Sequence, residues 1–262
     1  MVQITYRKKG ISITQIWFAA GAETVKTDIC FYHGVLKEDM GKDFPVKVPV
    51  KDSLYTPFHT LLSALDKEEE ELLGLINKNV RYEIRRNCKE AVIYKVFTPE
   101  ELKKSPETVT RFGEMYESMY KSKGQNATFN RQQFQAYLEK DAIMLTAIYQ
   151  EDVPIVFHSY IVGEKQVRLL HSVSEFRNGE LDANLVARAN KRLHWDDMCL
   201  FKREGKKIYD WGGVSSIENP NGIDAFKFKF GGEPFTYYNA YEGKSLLGKL
   251  AVWFMKMKHG KK

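Results

Sequence analysis

Cysteine is scarce in this chain, and its distribution limits the compartment and the chemistry that the sequence can support. The 262 residues contain three cysteines, Cys30, Cys88 and Cys199, and these lie far apart. An odd number of widely spaced cysteines argues against a disulfide framework and for a reducing environment. We therefore expect a cytoplasmic protein, and we interpret Cys199, within a helical pattern, as a small buried hydrophobic residue rather than a nucleophile.

Long apolar runs and metal-binding patterns are also missing. No stretch of eighteen apolar residues occurs, so the sequence predicts no membrane-spanning helix, and its beginning lacks the apolar core of a signal peptide. There is no CxxC or HExxH pattern and no cluster of histidine and cysteine, which argues against a structural metal. The histidines form no nucleophilic triad pattern with serine or cysteine.

The composition is that of a folded protein with a mild excess of positive charge. Hydrophobic residues make up 43% and aromatic residues 13% of the chain, enough for a sizeable core in one large domain or two small ones. The formal net charge is +6, with a pI near 9.0. This charge suits an anionic ligand such as a coenzyme, a nucleotide sugar, RNA or an anionic lipid, and it fits an ordinary basic protein equally well.

Local patterns predict the order of strands and helices. Three runs with short connections, 142–150, 153–162 and 167–173, predict an antiparallel meander. A helix over 182–202 and a strand over 207–211 follow, and such a crossover is right-handed and joins parallel strands. The same criteria predict further elements upstream: strands at 11–18, 28–32 and 91–97, helical turns at 61–65, and helices at 68–76, 79–87, from Pro99, around 115–120 and at 129–138.

The run from Lys207 to Glu233 is the most informative part of the sequence. A short buried strand ends in two glycines, a polar loop follows, and a segment rich in phenylalanine and lysine leads to a second glycine pair. Glycines let the backbone approach a ligand closely, and the acid Asp210 and the lysine Lys227 accompany the two pairs. This arrangement is typical of the rim of an active site.

This run resembles the carboxy-terminal signature of the FemAB-like, peptidoglycan bridge-forming branch of the GNAT acyltransferase superfamily. In that signature a Tyr-Asp-aromatic/Gly-Gly strand precedes a Phe-Lys-x-x-Phe-Gly segment. The resemblance implies that Lys227 and Asp210 are catalytic, the lysine stabilising negative charge and the acid orienting or accepting a proton. It makes Phe226, Trp211 and Tyr209 substrate-binding residues. From the residues alone, Asp210 fits pairing within the core equally well, and Lys227 also fits a surface position.

The resemblance also implies a fold class and a division of the chain. We expect an α/β (α+β) fold in which helices flank a mixed, mostly antiparallel sheet of GNAT type. The segment 1–97 corresponds to a truncated amino-terminal GNAT-like half, and 98–262 to the acyltransferase domain.

A donor site is implied where the two parallel strands of the crossover end. In GNAT domains these strands splay apart, the acyl donor pairs with the exposed backbone, and phosphate meets the following helix N-terminus. The corresponding donor-binding residues here are Ser172, Ser174, Arg177 and Asn178. Because this loop does not contain the Gln/Arg-x-x-Gly-x-Gly/Ala pattern of acetyl-CoA enzymes, both acyl-CoA and aminoacyl-tRNA remain as donors. An ordinary loop between a strand and a helix is the alternative.

A second resemblance lies in the stretch NVRYEIRRN, residues 79–87, which follows an acidic helix as Arg-Tyr-x-Ile-Arg does in FemAB-like proteins. Helical spacing puts Arg81 and Arg85 on one face. The guanidinium group grips carboxylate or phosphate with two hydrogen bonds, so we assign both arginines to an anionic substrate. The alternative is intramolecular pairing with the acidic run 68–71.

The tail 244–262 carries six lysines and no acidic residue. An apolar stripe runs along it, formed by Leu246, Leu247, Leu250, Phe254 and Met257. We expect this stripe to pack on the domain and leave a solvated basic face. The alternative is an interfacial helix that contacts anionic lipid and makes the protein membrane-associated.

Together these patterns predict an N-acyltransferase of GNAT type that needs no metal. It would move an acyl or aminoacyl group onto an amine of a cell-envelope precursor, a cell-wall peptide or an amino sugar, in cell-wall or surface-polysaccharide biosynthesis. Its partners would be that precursor and, with an aminoacyl donor, tRNA. The alternative from another class is a non-catalytic GNAT-fold protein that binds nucleotide or RNA.

Overall fold

The computed structural model describes residues 1–18, 25–36, 53–175 and 181–259. Its strands are β1 Val2–Lys8, β2 Ile11–Trp17, β3 Ile29–Val35, β4 Ser53–Ala64, β5 Ile93–Phe97, β6 Ile143–Gln150, β7 Val153–Val162, β8 Gln166–Ser174, β9 Ile208–Gly213 and β10 Glu233–Gly243. Its helices are α1 Glu69–Leu75, α2 Lys78–Asn87, α3 Pro99–Lys104, α4 Pro106–Ser122, α5 Arg131–Glu139, α6 Ala183–Arg203, α7 Gly222–Phe228 and α8 Leu246–His259.

All ten of these strands belong to one sheet, in the order β1-β2-β3-β10-β4-β9-β8-β7-β6-β5. Two neighbouring pairs, β2–β3 and β8–β9, are parallel, and the other neighbours are antiparallel. The predicted meander is β6–β7–β8, and α6 carries the chain to the parallel strand β9. The predicted fold class is confirmed: helices flank a mixed, mostly antiparallel sheet with a GNAT-like core.

Helices cover both faces of the meander because successive strand residues point to opposite sides. On β6, Ala147 belongs to the same core cluster as Phe112 of α4 and Phe134 of α5. The next residue, Ile148, belongs to a cluster with Leu193 of α6. The sheet is therefore the middle layer, with α3–α5 on one face and α6 on the other.

Two short helices owe their start to side-chain caps. Thr98 accepts the N–H of Glu101, whose carboxylate accepts the N–H of Thr98 in return, and Pro99 occupies the first turn of α3. Asn221 and Asp224 form the same reciprocal pair at the start of α7. Such capping boxes satisfy N–H groups that lack a partner in the first turn of a helix.

Two sequence expectations are wrong. Leu61 and Leu62 do not lie in helical turns but in β4, which pairs with β10 on one side and with β9 on the other. Leucine spacing fits a helix locally, but the hydrogen bonds to two neighbouring strands make this segment a strand.

The apolar stripe of α8 does not pack on the domain either: Leu246 is 88% exposed and Phe254 50% exposed. Gly248 and Val252, on the other side of the helix, are the buried residues.

The two segments of the predicted division share the sheet. The strand β10, from the carboxy-terminal segment, lies between β3 and β4 of the amino-terminal one. The boundary near residue 97 stays a prediction.

Cys199 is buried, as expected, and burial raises the pKa of its thiol to about 12.

Candidate active site

The parallel strands β8 and β9 pair over a short distance and then part. Their register contains three pairs, which end at Arg168 and Asp210, whereas β8 continues to Ser174. Beyond the last pair with β8, β9 keeps its pairing with β4, where Gly213 lies opposite Thr60. Gly212 makes this departure possible, because its φ of +68° is in the left-handed region and a Cβ there would lie 2.5 Å from the carbonyl oxygen of Leu169.

A cavity of about 400 Å³ lies where the strands part. It is bounded by β8, the end of α4, the first half of α6, and α7. Its lining residues are Met119, Ser122, Lys123, Leu169, Ser172, Ser174, Val186, Ala187, Asn190, Lys191, His194, Gly222, Ile223, Phe226 and Lys227. A more open cavity of about 830 Å³ lies between β1 and α3–α5, and no predicted site residue lines it.

The predicted catalytic lysine lies at this cavity. Lys227 is half-buried on α7, and its Nζ donates to the carbonyl oxygen of Gly213 at 2.7 Å. Burial lowers the pKa of Lys227 to about 8, against the opposing effects of Asp210 and Asp224. The side chain is therefore mostly charged at neutral pH, and an ammonium group has two further N–H donors to offer a group in the cavity.

His194 of α6 is the second titratable side chain at this position. Its ring is 2% exposed and is surrounded by Trp211, Phe226 and Phe230. Burial lowers the pKa of His194 well below its ordinary value, and the charges of His158 and Lys227 act in the same direction. A neutral imidazole results, which has one nitrogen free to accept a proton.

A chain of buried hydrogen bonds leads from His194 into the core. Nδ1 of His194 lies 3.1 Å from the Tyr209 hydroxyl, which lies 2.7 Å from the Tyr160 hydroxyl. Tyr160 donates in turn to Oδ2 of Asp197 at 2.6 Å. His158 joins the same carboxylate through Nδ1 at 2.8 Å. Burial, followed by the nearby Asp197, raises the pKa of both tyrosines well above the ordinary value, so both remain hydroxyl donors.

Asp210 points away from the cavity. The carboxylate is fully buried and accepts the Thr60 hydroxyl and the N–H of Gly212 at 2.9 Å. Nε of Arg168 lies 3.5 Å from its second oxygen. Asp210 does not line the cavity, so the carboxylate fixes the turn at the end of β9 instead of touching a molecule bound there. Of the two alternatives given for Asp210, pairing within the core is the one that matches its position.

Other predicted residues divide between the cavity and its surroundings. Phe226, Ser172 and Ser174 line the cavity, and the Ser172 hydroxyl donates to Oδ1 of Asn190 at 3.3 Å. Tyr209 and Trp211 are fully buried behind it. Arg177 and Asn178 lie outside the described residues.

The two arginines of α2 are not part of the cavity lining. Nη1 of Arg81 donates to the carbonyl oxygen of Gly74 at 3.0 Å and so caps the end of α1. Arg85 is exposed on α2. Within the described part of the chain, neither arginine forms an ion pair with the acidic run 68–71. Their assignment to a substrate stays a prediction that this cavity does not support.

Sequence reasoning missed His194, His158 and Asp197. A nucleophilic triad pattern pairs histidine with serine or cysteine, whereas the hydrogen-bond partners here are two tyrosines and an aspartate. A usable signal is present in retrospect, because His158 lies within an otherwise apolar strand and a polar residue there must find a partner.

Two further properties of the described residues bear on the site. No three histidine, cysteine, aspartate or glutamate side chains are grouped there so as to hold a metal ion. None of the helices in the described ranges is long and apolar enough to cross a membrane.

Comparison with solved structures finds the same fold in proteins of low sequence identity. FemX superposes with a TM-score of 0.61 at 13% identity, over 95% of this chain and 86% of FemX. The C-terminal domain (DUF2156) of a protein described as a lysylphosphatidylglycerol synthetase, from Agrobacterium fabrum, gives 0.55 at 10% identity, over 86% of this chain and 71% of that one. L-PGS from Bacillus licheniformis gives 0.53 at 14% identity, with the same coverage.

These likenesses concern the fold alone. No protein-family model matches the sequence, and no curated protein matches it either.

Proposed function

We propose that this protein is a FemAB-like N-acyltransferase that moves an acyl or aminoacyl group onto an amine of a cell-envelope precursor. The observation that carries the proposal is the cavity at the parting of β8 and β9, where Lys227 and His194 meet. Beyond Arg168, β8 stays paired with β7 on one edge, and its other edge, where the pairing with β9 has ended, is offered to an extended donor. A neutral base and a half-buried cation are two groups that promote acyl transfer to an amine.

Lys227 supplies the positive charge. When an amine attacks the donor's carbonyl carbon, the carbonyl oxygen becomes an oxyanion, and the ammonium group stabilises it. The contact with Gly213 holds Nζ at the cavity, so little reorganisation is needed during the reaction. In a partly dry site such a charge acts more strongly than in water.

His194 accepts the proton that the attacking amine loses. When the oxyanion collapses, the bond from the carbonyl carbon to the donor breaks, and the imidazolium returns this proton to the leaving group, the sulfur of CoA or the ribose oxygen of tRNA. Tyr160 donates its hydroxyl hydrogen to Asp197, so Tyr209 donates to Tyr160. The oxygen of Tyr209 then accepts from Nδ1–H of His194. The buried chain therefore fixes one tautomer of His194, in which Nε2 is the nitrogen that can accept a proton. His194 lines the cavity.

The likeness to FemX and to the lysylphosphatidylglycerol synthetase domain supports the substrate class. The product in the second name joins an amino acid to a membrane phospholipid, which is aminoacyl transfer onto a cell-envelope molecule. A net charge of +6 suits an anionic donor. Aminoacyl-tRNA and acyl-CoA are the two donor classes, and a cell-wall peptide or an amino sugar is the proposed acceptor.

The test is transfer of radiolabel from aminoacyl-tRNA or acyl-CoA to UDP-linked muropeptides, amino sugars and phosphatidylglycerol. Lys227→Ala should lower the rate about a hundredfold, the scale of losing one oxyanion donor. Lys229→Ala is the matched control, because this exposed lysine lies two residues after Lys227, at the end of α7, and it should leave the rate unchanged. Equal rates for Lys227→Ala and the wild type would remove Lys227 from the mechanism.

The rival function, binding of nucleotide or RNA without catalysis, has its own outcome in this experiment. It would give no labelled product with any donor and acceptor, together with a rise in melting temperature on addition of nucleotide or RNA.

A further inference from the structure

The helix α8 is anchored by one face. The carbonyl oxygen of Asp28 accepts the N–H of Lys244 at 2.8 Å, and the Asp28 carboxylate accepts the Ser245 hydroxyl at 2.6 Å. Gly248 packs so closely that a Cβ there would overlap the Asp28 carbonyl. One turn later Val252 is buried with Ile29. These contacts fix the rotation of the helix about its axis.

The opposite face carries a row of large apolar side chains that nothing covers among the described residues. Leu246 is 88% exposed, and five others are between 41% and 52% exposed. With 3.6 residues per turn, the six side chains fall within about a third of the helix circumference. The six residues, called here the outer face of α8, are Leu246, Leu247, Leu250, Trp253, Phe254 and Met257.

Positive charge borders the outer face on both sides. On a helical wheel, Lys249 and Lys256 fall on one flank and Lys258 on the other. The sequence contains no aspartate or glutamate from 244 to 262. Long lysine side chains can lie along apolar surface and still reach polar headgroups.

We propose that the outer face of α8 docks on the surface of an anionic lipid bilayer. An apolar helix face flanked by lysines, with tryptophan and phenylalanine on it, is the pattern of a helix that lies in the membrane interface. A second copy of this chain fits less well, because a two-fold pairing through this face would bring the flanking lysines of both copies together. The proposal goes beyond the proposed transfer reaction and does not depend on it.

The experiment measures co-sedimentation of the full-length protein with vesicles. Vesicles of phosphatidylcholine alone are compared with vesicles that also contain about one third phosphatidylglycerol, at low and at physiological salt. Binding to the anionic vesicles should be at least roughly tenfold stronger, since each lysine near the surface adds to the attraction. Trp253 fluorescence should shift to the blue on binding, and Trp253→Phe should abolish that shift.

The double variant Leu250→Glu with Phe254→Glu tests the outer face itself. It should reduce partition into anionic vesicles at least roughly tenfold, because two charges now enter the apolar contact. The matched control is Tyr82→Glu with Val153→Glu, which adds the same charge at side chains 65% and 47% exposed elsewhere. The control should bind within about twofold of the wild type.

Three results would overturn the proposal. Wild-type protein that stays in the supernatant with anionic vesicles is the first. An equal loss in the outer-face variant and the control would assign any binding to net charge alone. A dimer seen by analytical ultracentrifugation without lipid, lost in the outer-face variant, together with no vesicle binding, would make a second copy the occupant of this face.

Discussion

At the scale of single residues, the chemistry depends on what burial does to a few polar groups. Lys227, His194 and Asp210 lie close together in the fold, yet their environments give them different tasks. The lysine and the histidine line the cavity, whereas the aspartate is enclosed by Thr60, Gly212 and Arg168. Asp210 lies between Tyr209 and Trp211 in sequence, but its side chain need not point the same way as theirs, because adjacent strand residues point to opposite sides of the sheet.

Lys227 should titrate near pH 8. Burial lowers its pKa to about 8, so the ammonium form is present below that pH and is lost as the pH rises through it. NMR of the ¹³C-methylated protein should show one lysine with this midpoint, and Lys227→Ala should remove that signal. The transfer rate should likewise fall above about pH 8.

The arginine variant is the control for this assignment. Lys227→Arg keeps its charge at every accessible pH, so any activity that it retains should no longer fall above pH 8. A fall at the same pH in both proteins would show that another group titrates.

Tyr209→Phe should change the tautomer of His194. The substitution removes the hydroxyl that accepts from Nδ1 of His194 and donates to Tyr160, which leaves buried groups without a partner at a cost of about 1–3 kcal/mol. The ¹⁵N shifts of the His194 ring should report Nδ1–H in the wild type and a different or mixed state in the variant.

Tyr94→Phe is the matched control for that experiment. It removes a hydrogen bond of 3.0 Å to the other oxygen of Asp197 but leaves the chain to His194 intact. Its His194 shifts should equal those of the wild type. An equal change in both variants would mean that the tautomer of His194 is not set by the hydrogen-bond chain through Tyr209 and Tyr160.

Gly212→Ala should destabilise the protein more than Gly205→Ala. Both glycines have positive φ, +68° and +78°, so each variant places an alanine in the left-handed backbone region. This conformation costs each variant about 1–3 kcal/mol of stability. A Cβ at Gly212 would also lie 2.5 Å from the Leu169 carbonyl oxygen, whereas nothing lies within 4 Å at Gly205. Urea unfolding measures the difference, and equal midpoints would contradict it.

At the scale of elements, short-range patterns predicted what short-range contacts stabilise. The meander β6–β7–β8 was predicted because its two connections are short enough to fix the register of a hairpin. The leucine spacing of 61–65 wrongly predicts helical turns, because this spacing suits a helix as well as a strand. The strand partners of this segment lie far along the chain, in β9 about 150 residues and in β10 about 170 residues further on.

The start of α7 should depend on Asn221. Its side chain accepts the N–H groups of Ile223 and Asp224, and loss of such a cap costs about 0.5–2 kcal/mol. Asn221→Ala should therefore speed hydrogen exchange at these two amides. Asn219→Ala, at an exposed position of the same loop, should not. Equal protection in both variants would mean that tertiary packing alone holds α7.

At the scale of the whole molecule, the sheet joins distant parts of the chain. The last strand, β10, pairs with β3 and β4 over most of its length, and the helix that follows it is α8 with its outer face. The centre of the sheet is thus built from both segments of the predicted division at residue 97.

Residues 98–262 expressed alone should not fold cooperatively. Without the first segment, β10 loses both of its neighbours and β9 loses β4, which exposes strand edges that favour aggregation. We expect a broad thermal transition or insoluble protein, against one sharp transition for the full chain. Dispersed amide resonances and cooperative melting of 98–262 would instead support an independent domain.

The sequence by itself determined the meander and the helical crossover to a parallel strand. These features depend on hydrophobic periodicity and turn residues within about fifty positions of one another, as sequence patterns require. Only the tertiary structure decided that Asp210 faces the core, that 61–65 is a strand, and that the apolar side of α8 faces outward. The same is true of the chain from His194 to Asp197. In each case the partner that decides the outcome is brought in by the fold, through contacts that no local spacing encodes.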